Sequence, residues 1–163
     1  MPSVALGMLS NRSPTSRLDS ALATGALATI ATGGALIGLG LREGESSRVF
    51  RLVGRTLLER IGVPSAAAPL TSVAVGYLHH LVIATAWGLV LGLLVLALRG
   101  PMRLFAAVVA AAAYGFVALW FMPPMIRIGF SVTSNVPSVV PIVVALLLAL
   151  LGGVWLAAPD SRS

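Results

Sequence analysis

The stretch AVGYLHHLVIATAWGLVLGLLVLAL, residues 74–98, decides the fold of this chain. It contains no Asp, Glu, Lys or Arg, and Arg99 follows it directly. An uncharged apolar run of this length is typical of a helix that crosses a bilayer, because about 20 residues span the hydrocarbon core. When the run is extended back to Leu70, it would measure about 43 Å as a helix. We therefore expect it to tilt or to begin in the headgroup region.

The composition of the whole chain is that of a membrane protein. Hydrophobic residues make up 58% of the 163 residues and charged residues 10%, whereas soluble domains are about 45–50% apolar and about 25% charged. The mean hydropathy is +0.99. The net charge of +6 comes from eleven arginines, with no lysine, set against five acidic residues. These arginines lie outside the apolar runs, so they indicate topology and contacts with anionic lipid rather than nucleic-acid binding.

Three further apolar runs have the length of membrane spans. Together with the first, they predict transmembrane helices at about residues 20–41, 70–98, 104–122 and 137–158. The short turn at residues 99–103 predicts that the third span runs antiparallel beside the second. We predict an all-α polytopic membrane protein with a single four-helix domain at 20–158. A polar lead-in is expected over 1–19 and a polar tail over 159–163.

The segment at residues 45–62 has a different pattern, with apolar residues at helical spacing, Phe50, Val53, Leu57 and Ile61. Arg48, Arg51 and Arg55 mark the opposite face. This pattern is typical of an amphipathic helix that lies in the membrane interface and binds lipid headgroups through its arginines. The alternative is a solvated connector helix that packs on the end of the bundle.

The connection between the last two spans is the apolar loop at residues 125–135. It follows Pro123 and Pro124, which stop the third span. The loop either dips back into the protein or lies on the interface. Asn135 is a candidate N-cap for the fourth span.

Small residues recur at four-residue spacing in every span, which places them on one helical face where backbones can approach closely. The predicted packing positions are Gly25, Gly33, Gly34, Gly38, Gly88, Gly92, Gly115 and Gly153. The alternative is that such ridges arise by chance in a chain rich in Ala and Gly.

The candidate chemistry rests on His79 and His80, the two histidines of the chain. His80 continues the face of Gly88 and Gly92 and is expected to face the bundle, whereas His79 points about 100° away. Three interpretations stay open: hydrogen-bonded groups of the bundle or interface, contacts with a cofactor such as a haem, pigment or quinone, and members of a proton or substrate path. Two adjacent histidines without a third ligand do not predict a zinc site. No cofactor is identified by the sequence.

Motifs of known enzymes are absent from the sequence: it has no Gly-x-Ser-x-Gly, no His-Glu-x-x-His, no P-loop and no acid pair within a span. We therefore expect a non-catalytic protein, either a structural or accessory subunit that packs through its small-residue faces, or a component of a small-molecule transporter or channel. A subunit that contacts a pigment, haem or quinone through the histidines is a third interpretation. The expected partners are the lipid bilayer and other membrane subunits or a second copy, with no nucleic acid.

Several local features also occur together in one family. They are the Gly/Ala/Thr-rich first span at residues 23–40, the GYLHH opening of the second span at residues 76–80, and the pair Met122 and Pro123 after the third span. In these features and their order, the chain resembles a group of small, uncharacterised bacterial inner-membrane proteins, a domain of unknown function. The resemblance covers most of the chain and implies a four-helix fold and a bacterial inner membrane, without an activity. With a cytoplasmic N-terminus the inside segments carry five arginines and the outside segments six, so the arginine counts alone do not set the orientation. The short turn at residues 99–103 is the kind of loop to which the positive-inside rule applies best, and it favours a cytoplasmic N-terminus.

Overall fold

The computed structural model describes residues 17–63 and 69–157. These residues form five α-helices and one short 3-10 turn, at Pro124–Ile126. The α-helices are α1 (Arg17–Arg42), α2 (Arg48–Arg60), α3 (Pro69–Leu96), α4 (Met102–Trp120) and α5 (Val136–Leu156). The described parts contain no β-strand. α1, α3, α4 and α5 are long and apolar enough to cross a membrane, which confirms the predicted all-α fold with four spans.

The helix ends lie close to the predicted ones. α4 ends at Trp120 rather than at residue 122, because the residue before a proline is disfavoured in helical conformation, and Met122 precedes Pro123. α2 ends before Gly62, whose φ of 78° does not fit a right-handed helix. Asn135 caps α5 as predicted, since its side-chain oxygen accepts a hydrogen bond from the Ser138 N–H. The predicted lead-in, apart from residues 17–19, and the predicted tail lie outside the described residues.

The central helix of the bundle is α1. It packs against α3 on one side and α5 on the other, while α2 packs on α3 and α4 packs on α5. The expected position of α4 beside α3 is therefore only partly observed. The two helices touch through Trp87 and Tyr114, whose rings lie 5.5 Å apart, but α4 packs more extensively on α5 because the connection between α4 and α5 inserts beside α3.

The contact between α1 and α3 is made by glycine at the expected positions. A Cβ atom added at Gly88 would lie 2.5 Å from the Ala28 Cβ and 2.8 Å from the Gly25 Cα. A Cβ added at Gly25 would lie 3.0 Å from the Thr85 carbonyl oxygen. The hydroxyl groups of Thr29 and Thr85 are 2.7 Å apart and form a hydrogen bond between the same helices. The two backbones thus approach as closely as the absence of side chains allows.

Thr24 lies where α1 meets both α3 and α5. A Cβ at Gly92 would lie 3.1 Å from the Thr24 side chain, and a Cβ at Gly153 would overlap the Thr24 hydroxyl oxygen. This hydroxyl donates a 2.7 Å hydrogen bond to the Ser20 carbonyl within α1, so its polar hydrogen is satisfied although the side chain is fully buried. Gly115 serves in the same way between α4 and α5, where an added Cβ would lie 2.6 Å from Val143.

The amphipathic helix α2 contacts α3 backbone to backbone. A Cβ at Gly54 would overlap the Ser72 carbonyl, and a Cβ at Gly76 would overlap the Phe50 carbonyl. Phe50 lies near residues 76–80, and Gly54 near residues 72–76, so α2 runs opposite to α3 at this contact. α2 is therefore fastened to the bundle, whatever its depth in the membrane.

We predict that Gly76→Ala lowers the free energy of unfolding by about 1–3 kcal/mol, because the added methyl group must push two backbones apart. Gly34→Ala is the matched control in α1, because nothing lies within 4 Å of its added Cβ. We expect this control to be neutral or slightly stabilising, since Ala favours a helix over Gly. Reversible unfolding in detergent measures both changes, and an equal effect of the two substitutions would contradict the close contact.

Candidate functional site: a histidine pair and an inserted loop

His80 lies where α1, α2 and α3 meet. Its side chain is 2% exposed, and its Nε2 atom lies 3.1 Å from the Thr29 carbonyl oxygen of α1. The Phe50 ring of α2 contacts the imidazole edge-on at 5.6 Å between centroids. A Cβ at Gly33 would lie 3.3 Å from Nε2. The expectation that His80 faces the bundle is thus met, and one side chain joins three helices.

His79 points to a different part of the molecule. Its side chain is half-buried, and its Nε2 atom lies 2.8 Å from the Met125 carbonyl oxygen in the connection between α4 and α5. The Phe130 ring of the same connection contacts the imidazole edge-on at 5.6 Å. Adjacent residues of a helix point about 100° apart. α3 therefore contacts α1 through His80 and the connection between α4 and α5 through His79.

These contacts fix which ring nitrogen carries the proton. A carbonyl oxygen only accepts, so Nε2–H donates in both rings, and the Nδ1 atom of a neutral ring holds a lone pair. Both Nδ1 atoms are buried, and neither has a hydrogen-bond partner among the described residues. The Nε2–H groups of His79 and His80 are therefore used in hydrogen bonds within the protein. Their Nδ1 atoms are the ring nitrogens that can still accept a hydrogen bond or bind a cofactor.

The loop at residues 121–135 folds back into the protein. Ile128 and Thr133 are fully buried and Phe130 is 8% exposed. Gly129 has a φ of 58°, and an added Cβ there would overlap the Leu36 side chain of α1. Of the two expectations for this loop, the structure shows the one in which it dips back into the protein.

Polar aromatic side chains satisfy the backbone of this loop. The Trp87 Nε1–H donates to the Ile126 carbonyl at 2.8 Å, and the Ile128 N–H donates to the Tyr114 hydroxyl at 2.9 Å. With the bond from His79 to Met125, three side chains bind three backbone groups of four consecutive residues. Non-helical backbone at membrane depth requires such partners, because lipid supplies none.

The depth of the pair follows from helix length. His80 is about 24 Å along the helix from Leu96, where α3 ends, and the turn with Arg99 and Arg103 comes next. A hydrocarbon core about 30 Å thick with one boundary at this turn has its other boundary close to the histidines. The loop then inserts inward from that boundary, and the first residues of α3 lie outside the core beside α2.

The arginines predicted to bind headgroups are all in ion pairs within the chain. Arg48 Nε lies 2.7 Å from the Glu43 carboxylate, Arg51 pairs with Glu45, and Arg55 Nε lies 2.8 Å from the Glu59 carboxylate. All six side chains are well exposed, at 40–60%, so such pairs contribute little to stability. Binding of lipid headgroups by Arg48, Arg51 and Arg55 stays a prediction.

The predicted packing glycines fall into two groups. Six of them lie against a neighbouring helix: Gly25, Gly33, Gly88, Gly92, Gly115 and Gly153. Gly34 and Gly38 have no described atom within 4 Å of an added Cβ, so they face outward from α1 and make no close helix contact within the described chain.

Four residues of this region have roles that the sequence did not predict. Gly54 and Gly76 make the contact between α2 and α3, and Trp87 and Tyr114 hold the loop. Gly76 belongs to the small-residue face of the second span with His80, Gly88 and Gly92, but α2 was not the expected partner. A signal existed for Gly54, because it continues the apolar face of Phe50 at four-residue spacing. Trp87 and Tyr114 could have been noted as polar groups within apolar spans, which usually find a buried partner.

The fold and composition identify an integral membrane protein with four spans. Comparison with protein-family models, with curated proteins and with solved structures finds no match to this chain.

We predict that nitrogen-15 NMR of the histidine side chains shows the Nε2–H tautomer for both rings, because each Nε2 faces a carbonyl oxygen. His79→Ala and His80→Ala assign the two signals. A neutral ring protonated at Nδ1 instead would contradict the arrangement.

Proposed function

We propose that the protein is a non-catalytic integral membrane protein that serves as a structural or accessory subunit of a membrane complex. The observation that carries this proposal is that the Nε2–H groups of His79 and His80 both donate hydrogen bonds to backbone carbonyl oxygens of the protein itself. They thereby stabilise the packing of α1 and of the inserted loop, as a structural role requires.

The packing of the bundle also supports the proposal. α1 approaches α3 and α5 with glycine at the contacts, and the buried threonines Thr24 and Thr32 bond to their own helix backbone. A path for a polar solute would instead need side chains that turn toward water. We propose that the outward Gly34 and Gly38 of α1 pack against a transmembrane helix of another subunit, because small residues permit close approach in lipid.

We place the protein in a bacterial inner membrane, on the resemblance described above, with its N-terminus in the cytoplasm. The four spans put both ends of the domain on one side, together with the turn that carries Arg99 and Arg103. This placement follows the positive-inside rule for short loops. α2 and the inserted loop then lie toward the opposite face.

A second candidate is a transporter or channel component, and the buried, unpartnered Nδ1 atoms of His79 and His80 favour it. Unpaired buried polar groups are rare and often mark water or a bound ligand. The same atoms would serve a subunit that contacts a haem, pigment or quinone. These candidates differ from the accessory role in water access and in the mass of the native particle.

Labelling with a water-soluble thiol reagent tests water access, and the absence of Cys from the natural chain makes every introduced thiol unique. We expect Thr32→Cys to remain unlabelled from either side of the membrane, because Thr32 is fully buried in α1. Ser46→Cys is the matched control, since Ser46 is exposed between α1 and α2 and should react. Reaction at residue 32 comparable with that at residue 46 would favour transport over the accessory role.

Native mass spectrometry of the particle extracted in mild detergent tests the partner. The accessory role predicts other protein chains bound to the 16.7 kDa subunit, and Gly38→Leu should reduce their amount. A bare monomer or homo-oligomer would contradict the accessory role, and a bound small molecule would favour the cofactor interpretation.

A further inference from the structure

The part of the loop at residues 122–130, here called the strap, covers the space between α3 and α4. Pro123, Pro124 and Ile126 are exposed on its outer side, whereas Ile128 and Phe130 are buried on its inner side. The strap touches α3 through His79 and Trp87 and α4 through Tyr114. It therefore lies as a cover between two helices that make limited direct contact.

The strap is fastened only by side chains. Within the described part of the chain, the backbone-to-backbone hydrogen bonds of residues 121–135 join residues at most five positions apart, and none reaches α1 or α3. The Arg127 guanidinium also bonds locally, to the Met122 carbonyl. The bonds to the rest of the bundle come from His79, Trp87 and Tyr114. Breaking them leaves every α-helix intact.

Two positions at the ends of the strap can bend. Phe121 directly follows α4 and is exposed, whereas Pro123 and Pro124 have φ angles fixed by their rings and keep the next part of the strap stiff. Gly129 has a φ of 58°, in a region that glycine adopts without strain. Rotation at Phe121 and Gly129 moves residues 122–128 while the four spans keep their glycine contacts.

We propose that the strap is a detachable cover between α3 and α4. It opens when the bonds from His79, Trp87 and Tyr114 break and Ile128 and Phe130 leave the hydrophobic core, while the four spans stay packed. Opening exposes two N–H donors and one hydroxyl on the facing sides of α3 and α4. The cover is thus a conformational device that is independent of the accessory role proposed above, because its opening requires no partner.

Thiol labelling in the Cys-free chain tests this proposal. Ile128→Cys places a thiol on the buried side of the strap, and its labelling rate reports how often the strap opens. Tyr114→Phe removes one hydrogen bond and keeps the ring, and Trp87→Phe removes one hydrogen bond and replaces the indole by a smaller aromatic ring. We expect each to raise the labelling rate at residue 128 by about tenfold, and the pair of substitutions to raise it further, because each removes one bond that must break on opening.

Two controls separate opening of the strap from loosening of the bundle. Tyr77→Phe removes a hydroxyl from an exposed side chain of α3 whose ring lies against Phe50 of α2. This hydroxyl makes none of the three bonds that hold the strap, so the substitution should leave the rate at residue 128 unchanged. Thr32→Cys reports on the buried part of α1 and should react equally slowly in every background. An unchanged rate at residue 128, or a parallel rise at residue 32, would overturn the proposal.

Hydrogen exchange of the unsubstituted protein gives an independent test that does not depend on the folding of any variant. The strap amides, including that of Ile128, should exchange faster than the central amides of α3 and α4. Exchange of the strap as slow as that of these helices would also overturn the proposal.

Discussion

The close approach of α1 to α3 and α5 around Thr24 is the contact on which the rest of the structure depends. Within lipid the hydrophobic effect does not drive helices together, so association relies on dispersion contacts and interhelical hydrogen bonds. Gly88, Gly92 and Gly153 provide the space for these contacts. The Thr24 side chain can pack directly against the glycines, because its hydroxyl donates its hydrogen bond within its own helix. Only its methyl group and an oxygen that already donates therefore face the neighbouring helices.

With α1 packed against α3 and α5, the two histidines of α3 connect further parts of the chain to the bundle. His80 joins α1 and α2 to α3, and His79 joins the inserted loop to α3. The energetic reason is the same in both cases, because a backbone carbonyl or an imidazole N–H left unpaired in a low-dielectric region costs far more than the bond contributes in water. Adjacent positions on one helix thus connect three parts of the chain that are distant in sequence.

The sequence predicted what depends on local pattern. The four spans follow from the length of uncharged runs, and the contacts of Gly25, Gly88 and Gly153 follow from four-residue spacing. The same spacing also selected Gly34 and Gly38, which face outward, because spacing defines a face of a helix but not what lies against it.

For the loop between α4 and α5 and for α2 the sequence left two alternatives each, and it could not decide between them for a related reason. Residues 121–135 have no periodic pattern, and their position depends on hydrogen bonds to Trp87 and Tyr114, which only the fold brings near. The amphipathic pattern of α2 indicated either a helix in the membrane interface or a connector helix packed on the bundle, and the contact that Gly54 allows with the α3 backbone shows the packing. In both cases a few distant contacts, rather than the composition of the segment, decide the position.

Direct contact between Thr24 and Gly153 sets the distance between α1 and α5. A double-mutant cycle of Gly153→Ala and Thr24→Ala, measured by reversible unfolding, tests this contact most directly. We predict that Gly153→Ala costs about 1–3 kcal/mol in the natural chain and much less when Thr24 is already Ala, since the overlapping hydroxyl oxygen is then gone. Strictly additive effects of the two substitutions would contradict the account, because residues that are not in contact show no coupling.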